Sequence, residues 1–200
     1  MNTQRSLATA LVLALFAAGC SAPLRIRSFS HPDADYSFYE RVGILPFQSE
    51  ADDRLAGEKV SEFFLTEVLI RGPLHVMDPG QFRAVLGETV GVPNPAVLED
   101  YSPTQLQKIG AAAEVQGFFI GMVHDYRVMQ VAGERYPMLS MTVKFVDAPT
   151  GTVVWQSNVS ARGGPNYPII AAGEQYIMGE LTQRVCKKLA IDFYKKSGIR

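Results

Sequence analysis

The chain has 200 residues, 47% hydrophobic and 20% charged, which excludes collagen-like, coiled-coil and wholly disordered chains and makes one domain the expectation. Nineteen Lys and Arg against 20 Asp and Glu give a formal charge of −1, so no overall basic field recruits nucleic acid or an anionic membrane. Two Cys and three His exclude a disulfide framework and argue against a multi-ligand zinc site, and no metal or cofactor is expected.

Residues 1–20 read MNTQRSLATALVLALFAAGC. Arg5 gives a basic start, and the apolar run from Leu7 to Ala18 has the length of a signal h-region, too short to span a bilayer as a helix. Ala17, Ala18 and Gly19 then precede Cys20. This resembles the lipobox of bacterial lipoproteins, with Ala17 where Leu is usual. The resemblance implies acylation of the Cys20 thiol, cleavage ahead of it and acylation of the new amino terminus. One acyl chain binds a membrane marginally and two or more anchor it stably. Residues 1–19 are therefore expected to be a signal peptide, and Cys20 the lipidation site. Ser21 is not the Asp that retains many such proteins in the inner membrane, which implies the periplasmic face of the outer membrane.

Residues 21–40, SAPLRIRSFSHPDADYSFYE, show neither helical nor strand period and read as a tether, with Tyr36, Phe38 and Tyr39 available to dock on the domain. His31, Asp33 and Asp35 alternate as cation ligands can, although a proline-initiated turn accounts for the same spacing. The domain is expected over residues 41–200. Arg41 to Phe47 is an apolar strand that Pro46 terminates. Asp52 and Asp53 offer an N-cap for a helix from about Arg54 to Ile70. Its apolar stripe is Val60, Phe63, Phe64, Leu65, Val68 and Leu69, with Glu58, Lys59, Glu62 and Glu67 opposite. Gly72-Pro73 stops it. Leu74 to Met77 is a short strand, and Pro79 to Leu86 a short helix with Phe82 and Val85 facing in.

A loop marked by Gly87, Gly91, Pro93 and Pro95 follows. Ser102-Pro103 then opens a helix to about Ala113, with Gln105 completing a capping box. Val115 to Val131 is strand-like for longer than most strands. After AGERY, Met138 to Val146 alternates Leu139, Met141, Val143 and Phe145 with Ser140, Thr142 and Lys144. Asp147 to Gly151 is a turn. Val153, Trp155 and Val159 are expected on one buried face, with Gln156, Asn158 and Ser160 on the other. Ala171 to Lys196 closes the chain as a long helix, with Ile177, Leu181, Val185, Leu189 and Phe193 in line. The expected fold is α/β in a single domain. It has a mixed sheet of about five strands flanked by helices, parallel in the first half, an antiparallel meander in the second, and a long C-terminal helix.

The order RVGILPF, LHVMD, IGAAAEVQGFFIG and VKFVDAPTGTVVWQSNVSARG resembles the superfamily of the curli-secretion (CsgG-like) lipoprotein. That superfamily also holds the penicillin-binding-protein activator lipoproteins and the amino-terminal domain of the Tol-Pal propeller protein. The matching pieces are Leu45-Pro46-Phe47, Ala113 to Gly117 and Asp147 to Gly151. Curli-secretion pores build their wall from two long membrane hairpins per subunit, each needing about 20 residues plus a turn. The corresponding links here, Ala132–Tyr136 and Arg162–Ile170, are too short, so such a pore is not expected.

No catalytic constellation is legible. His75 and His124 fall inside strands and read as sheet residues. Cys186 lies beside Lys187 and Lys188, which would lower a thiol pKa, on a helix whose packing would silence it. No Gly-x-Ser-x-Gly or phosphate-binding glycine pattern is present. Three segments could carry contacts: the aromatic tether, the long ribbon 124–141 with its tip, and the loop ARGGPNYPII. The named candidates are Tyr126, Val128, Glu134, Arg135, Tyr136 and Tyr167. The reading is a non-enzymatic, lipid-anchored component of an envelope secretion or assembly complex, able to self-associate and bind another envelope protein. A peptidoglycan-synthase activator is the alternative, and an envelope hydrolase the reading from another class.

Overall fold

The computed structural model describes residues 24–90, 102–131, 133–164 and 177–199. The described strands are β1 (Leu24–Ser30), β2 (Arg41–Ile44), β3 (Gln48–Ser49), β4 (His75–Val76), β5 (Gly117–Val131), β6 (Glu134–Asp147) and β7 (Thr152–Arg162). The helices are α1 (Ala56–Arg71), α2 (Pro79–Val90), α3 (Pro103–Ala113) and α4 (Met178–Ser197). All seven strands form one sheet in the order β1-β7-β6-β5-β2-β4, with β3 pairing β5 beyond the end of β2. β2 runs parallel to β4 and β5, while β5, β6, β7 and β1 are antiparallel in succession. The α/β single-domain expectation stands, with two more strands than the sequence suggested.

One of the additions corrects the tether. Leu24–Ser30 pairs along its length with β7, from Leu24 opposite Ala161 to Ser30 opposite Trp155. Its Leu24 and Ile26 pack on the core while Arg25, Arg27 and Phe29 face outward. Tyr36 and Tyr39 are buried in the main core, and Phe38 is exposed. The expected domain start at residue 41 therefore comes too late: the sheet starts at Leu24.

Helices α1 and α4 cover one side of the sheet over the main core, where Phe193 meets Phe119, Phe145 and Trp155 edge to face and Phe119 meets Phe145 at a tilt. Helices α2 and α3 cover part of the other side over a smaller core of Leu45, Phe82, Leu86, Ile109, Phe118 and Val146. The capping box forms as spelled: the Gln105 amide donates to Ser102 Oγ at 3.4 Å, and the Ser102 amide donates to Gln105 Oε1 at 2.9 Å. α1 starts later than expected, behind an Asp53 carboxylate that accepts from the Leu55 amide.

Four side chains depart from their expected faces. Glu67 is buried rather than outward, because Arg71 one turn later reaches it at 2.8 Å. Leu69 and Ile177 are exposed. Val153 also leaves the Trp155 face: Phe145 pairs Trp155 but Val146 pairs Val153, so Val154 is an extra residue in a bulge. Val153 then packs against the smaller core. α2 runs on to Val90, so Gly87, expected to open the loop, is helical; the rest of that loop, residues 91–101, and the part of the C-terminal helix expected over residues 171–176 lie outside the described residues.

Candidate functional site

The strand register places the ribbon. Leu24, Ala161, Leu139 and Tyr126 form one row across β1, β7, β6 and β5. Beyond that row β5 and β6 continue as a pair to Val131 opposite Glu134, closed by Gly133 at φ +89°. β7 ends one residue past the row, and the described part of its continuation stays on the ribbon through the Gly163 amide, which donates to the Pro137 carbonyl at 2.7 Å, and through Gly164 against the Tyr136 ring. Residues 128–136 thus project past every other described strand.

The candidate residues divide along this ribbon. Val128, Glu134 and Arg135 are exposed near its tip. Tyr136 is half-buried, its ring against Gly164. Tyr126 packs on the main core at the base, with the Lys59 ammonium 6.0 Å from its ring centroid. Cys20 and Tyr167 lie outside the described residues.

On the α2–α3 side the helices cover β6 and β7 only around Val146 and Val153, and no described helix lies over the rest of β6 and β7 or over β1. Ser140 and Thr142 from β6, Asn158, Ser160 and Arg162 from β7, and Arg25, Arg27 and Phe29 from β1 line this open face. A shallow groove of about 410 Å³ runs over it. None of the three arginines is in an ion pair among the described residues. The sequence carries only a short signal for this face: charge and apolarity alternate from Leu24 to Arg27, and then Ser28 facing in and Phe29 facing out reverse the pattern.

A polar chain crosses this face. His124 Nδ1 lies 2.8 Å from Glu50 Oε2, and His124 Nε2 lies 2.9 Å from Thr142 Oγ1, which in turn donates to Asn158 Oδ1 at 2.8 Å. The order carboxylate, imidazole, hydroxyl has the connectivity of a nucleophilic triad. The setting does not match one. Glu50 and His124 are open to water, at 61% and 41% side-chain exposure. Thr142 sits mid-strand between β5 and β7, where backbone amides are engaged in the ladder rather than turned toward an oxyanion. Its evident work is mechanical, tying short β3 across three strands. His124 faces this side by the alternation of β5 and is the residue left unpaired at the bulge between Val123 and Asp125.

Elsewhere the chemistry is quiet. Cys186 is fully buried, its thiol donates toward the Val60 carbonyl at 3.7 Å, and burial followed by the nearby Glu67 charge raises its pKa far above the ordinary thiol value. Lys187 and Lys188 point outward, so the packed reading of this cysteine holds. His75 is exposed at the sheet edge. A wide depression of about 1080 Å³ near Tyr36, His31, His75 and Lys196 gathers no trio of metal-ligating side chains among the described residues. Asp147, the first residue of the Asp-x-x-Thr-Gly turn, accepts from the Thr150 amide and hydroxyl and from Tyr39 Oη at 2.9 Å. Burial, then that carboxylate, drives the Tyr39 pKa far up. The motif that carried the resemblance is thus a structural clasp.

Comparison with solved structures finds the same fold. The PelC dodecamer from Paraburkholderia phytofirmans matches with a TM-score of 0.53 at 14% identity, over 84% of this chain and 97% of that one. Lipoprotein GNA1162 from Neisseria meningitidis matches at 0.53 and 17% identity, over 76% of this chain and 99% of that one. The hypothetical protein CT253 from Chlamydia trachomatis matches at 0.51 and 14% identity, over 80% and 98%. No protein-family model matches the chain, and no curated protein does. At these identities the likeness is one of fold, and the curli-secretion and Tol-Pal relationships rest on the sequence motifs alone.

Proposed function

We propose that this chain is a lipid-anchored component of a bacterial envelope assembly that works by binding proteins, copies of itself among them, and not by catalysis. The observation that carries the reading is the junction of leader and fold: Cys20, in a lipobox-like sequence, stands four positions ahead of the first strand. Two neighbours in fold lend support, one described as a dodecamer and one as a lipoprotein. Protein contact is assigned to the open sheet face, where Arg25, Arg27 and Arg162 offer charge and Phe29, 50% exposed, an apolar anchor. Localisation follows as the periplasmic face of the outer membrane.

The activator alternative is weakened by the fold. A 20-residue tether would reach roughly 65 Å, but with β1 in the sheet the three residues between Cys20 and Leu24 allow at most about 14 Å between their Cα atoms. That suits a partner at the membrane surface.

The test uses the full chain expressed in a bacterial envelope. The wild type is expected to be acylated and cut before Cys20, and to give crosslinked species larger than a monomer. Cys20→Ala is expected to stay uncut and leave the membrane fraction. Reversing charge with Arg25→Glu and Arg27→Glu is expected to remove the crosslinks while leaving the anchor. An acylated protein that crosslinks to nothing would sink the assembly reading.

A further inference from the structure

The reach of the anchor and the register of the sheet together fix which part of the domain meets the lipid. Whatever their conformation, the residues between Cys20 and Leu24 cannot carry Cys20 more than about 14 Å past the row of Leu24, Ala161, Leu139 and Tyr126. On the same side of that row, β5 runs on from Tyr126 to Val131 and β6 comes back from Glu134 to Leu139. Five residues at about 3.3 Å each put the ribbon tip roughly 17 Å past the row. The tip therefore extends at least as far as the acylated residue can. The Asp147–Thr152 end of the sheet lies on the opposite side of the row.

We propose that the tip of the β5–β6 ribbon rests in the lipid headgroup layer that holds the acyl chains of Cys20, so that the domain meets its membrane at two points. The inference rests on the reading of Cys20 as the lipidation site. The side chains suit such a layer. Val128 is 46% exposed on one face of the ribbon and Met129 is half-buried on the other. Arg135, exposed, supplies a cation for lipid phosphate, and half-buried Tyr136 is of the type that sits at a membrane–water boundary. Gln130 and Glu134 are also exposed and polar, which keeps the tip shallow. A transmembrane strand needs about 9–11 residues, and five past the row cannot cross. The occupant is a lipid surface, contacted and not spanned.

The experiment places one added tryptophan at a time in the full chain, purified with its acyl groups. The variants are Val128→Trp and Gln130→Trp at the tip and Thr152→Trp at the far end, each reconstituted into phosphatidylethanolamine–phosphatidylglycerol vesicles. A nitroxide on the lipid headgroup quenches only nearby indoles, and native Trp155, fully buried, supplies a constant background read from the wild type. The expected result is at least twofold quenching of the added emission at 128 and 130, with none at 152. Two tip positions guard against one variant misfolding. Acylated protein with unquenched tip tryptophans, or with equal quenching at 152, overturns the inference and leaves the lipoprotein reading standing. A mass showing Cys20 without acyl groups overturns both.

Discussion

Trp155 concentrates the stability of the molecule in one side chain. It is fully buried, meets Phe119 and Phe193 edge to face, and donates from its indole to Asp192 at 3.2 Å. Trp155→Ala is expected to cost about 3–5 kcal/mol, read as a lower denaturant midpoint. Its burial was legible in the alternation along β7. The turn of Val153 to the other face was not, because a one-residue bulge leaves no mark in a period-two pattern. Tyr194 gives a prediction in pH. Its hydroxyl donates to the Val68 carbonyl at 3.1 Å, and burial pushes its pKa from 10.0 up to about 12. The unfolded tyrosine ionises first, so its contribution is complete below pH 10 and is lost as pH rises from 10 toward 12. Thermal melts across that window are expected to fall less steeply for Tyr194→Phe than for the wild type.

At the scale of elements, α1 shows how closely a helix is seated on the sheet. A Cβ at Gly57 would run into the Phe47 carbonyl, a backbone atom that cannot move aside without shifting the Pro46–Phe47 turn. Gly57→Ala is expected to destabilise by about 1–3 kcal/mol despite the better helix former. Gly87→Ala in α2 meets no atom and is expected to leave stability level or slightly raised; chemical denaturation of the pair is the check. The amphipathic helices and the meander were readable because each buries one regular face. β1 escaped notice because Pro23 and Pro32 bracket it and its outward residues include two arginines, which made an edge strand look like a linker. The Glu50–His124–Thr142 chain escaped for a different reason: it joins three segments at a bulge and across a parallel pairing that no local spacing encodes.

For the whole molecule, the sheet joins the two halves of the sequence at its outer edge. The β5–β6–β7 meander closes through short turns, whereas β1 pairs with β7 across almost the whole length of the fold. Long-range pairing of that kind forms late, because loop closure must come before the contacts that reward it. In a chain that emerges amino terminus first, Leu24–Ser30 waits for residues 155–161 before it has a partner. Ile26→Ala is therefore expected to speed unfolding and leave the folding rate almost unchanged in stopped-flow mixing. Until β1 docks, the outer edge of β7 offers unpaired backbone to any passing strand. On this order the last step of folding is also the one that closes the outer edge of the sheet to aggregation, and it falls to the first described strand.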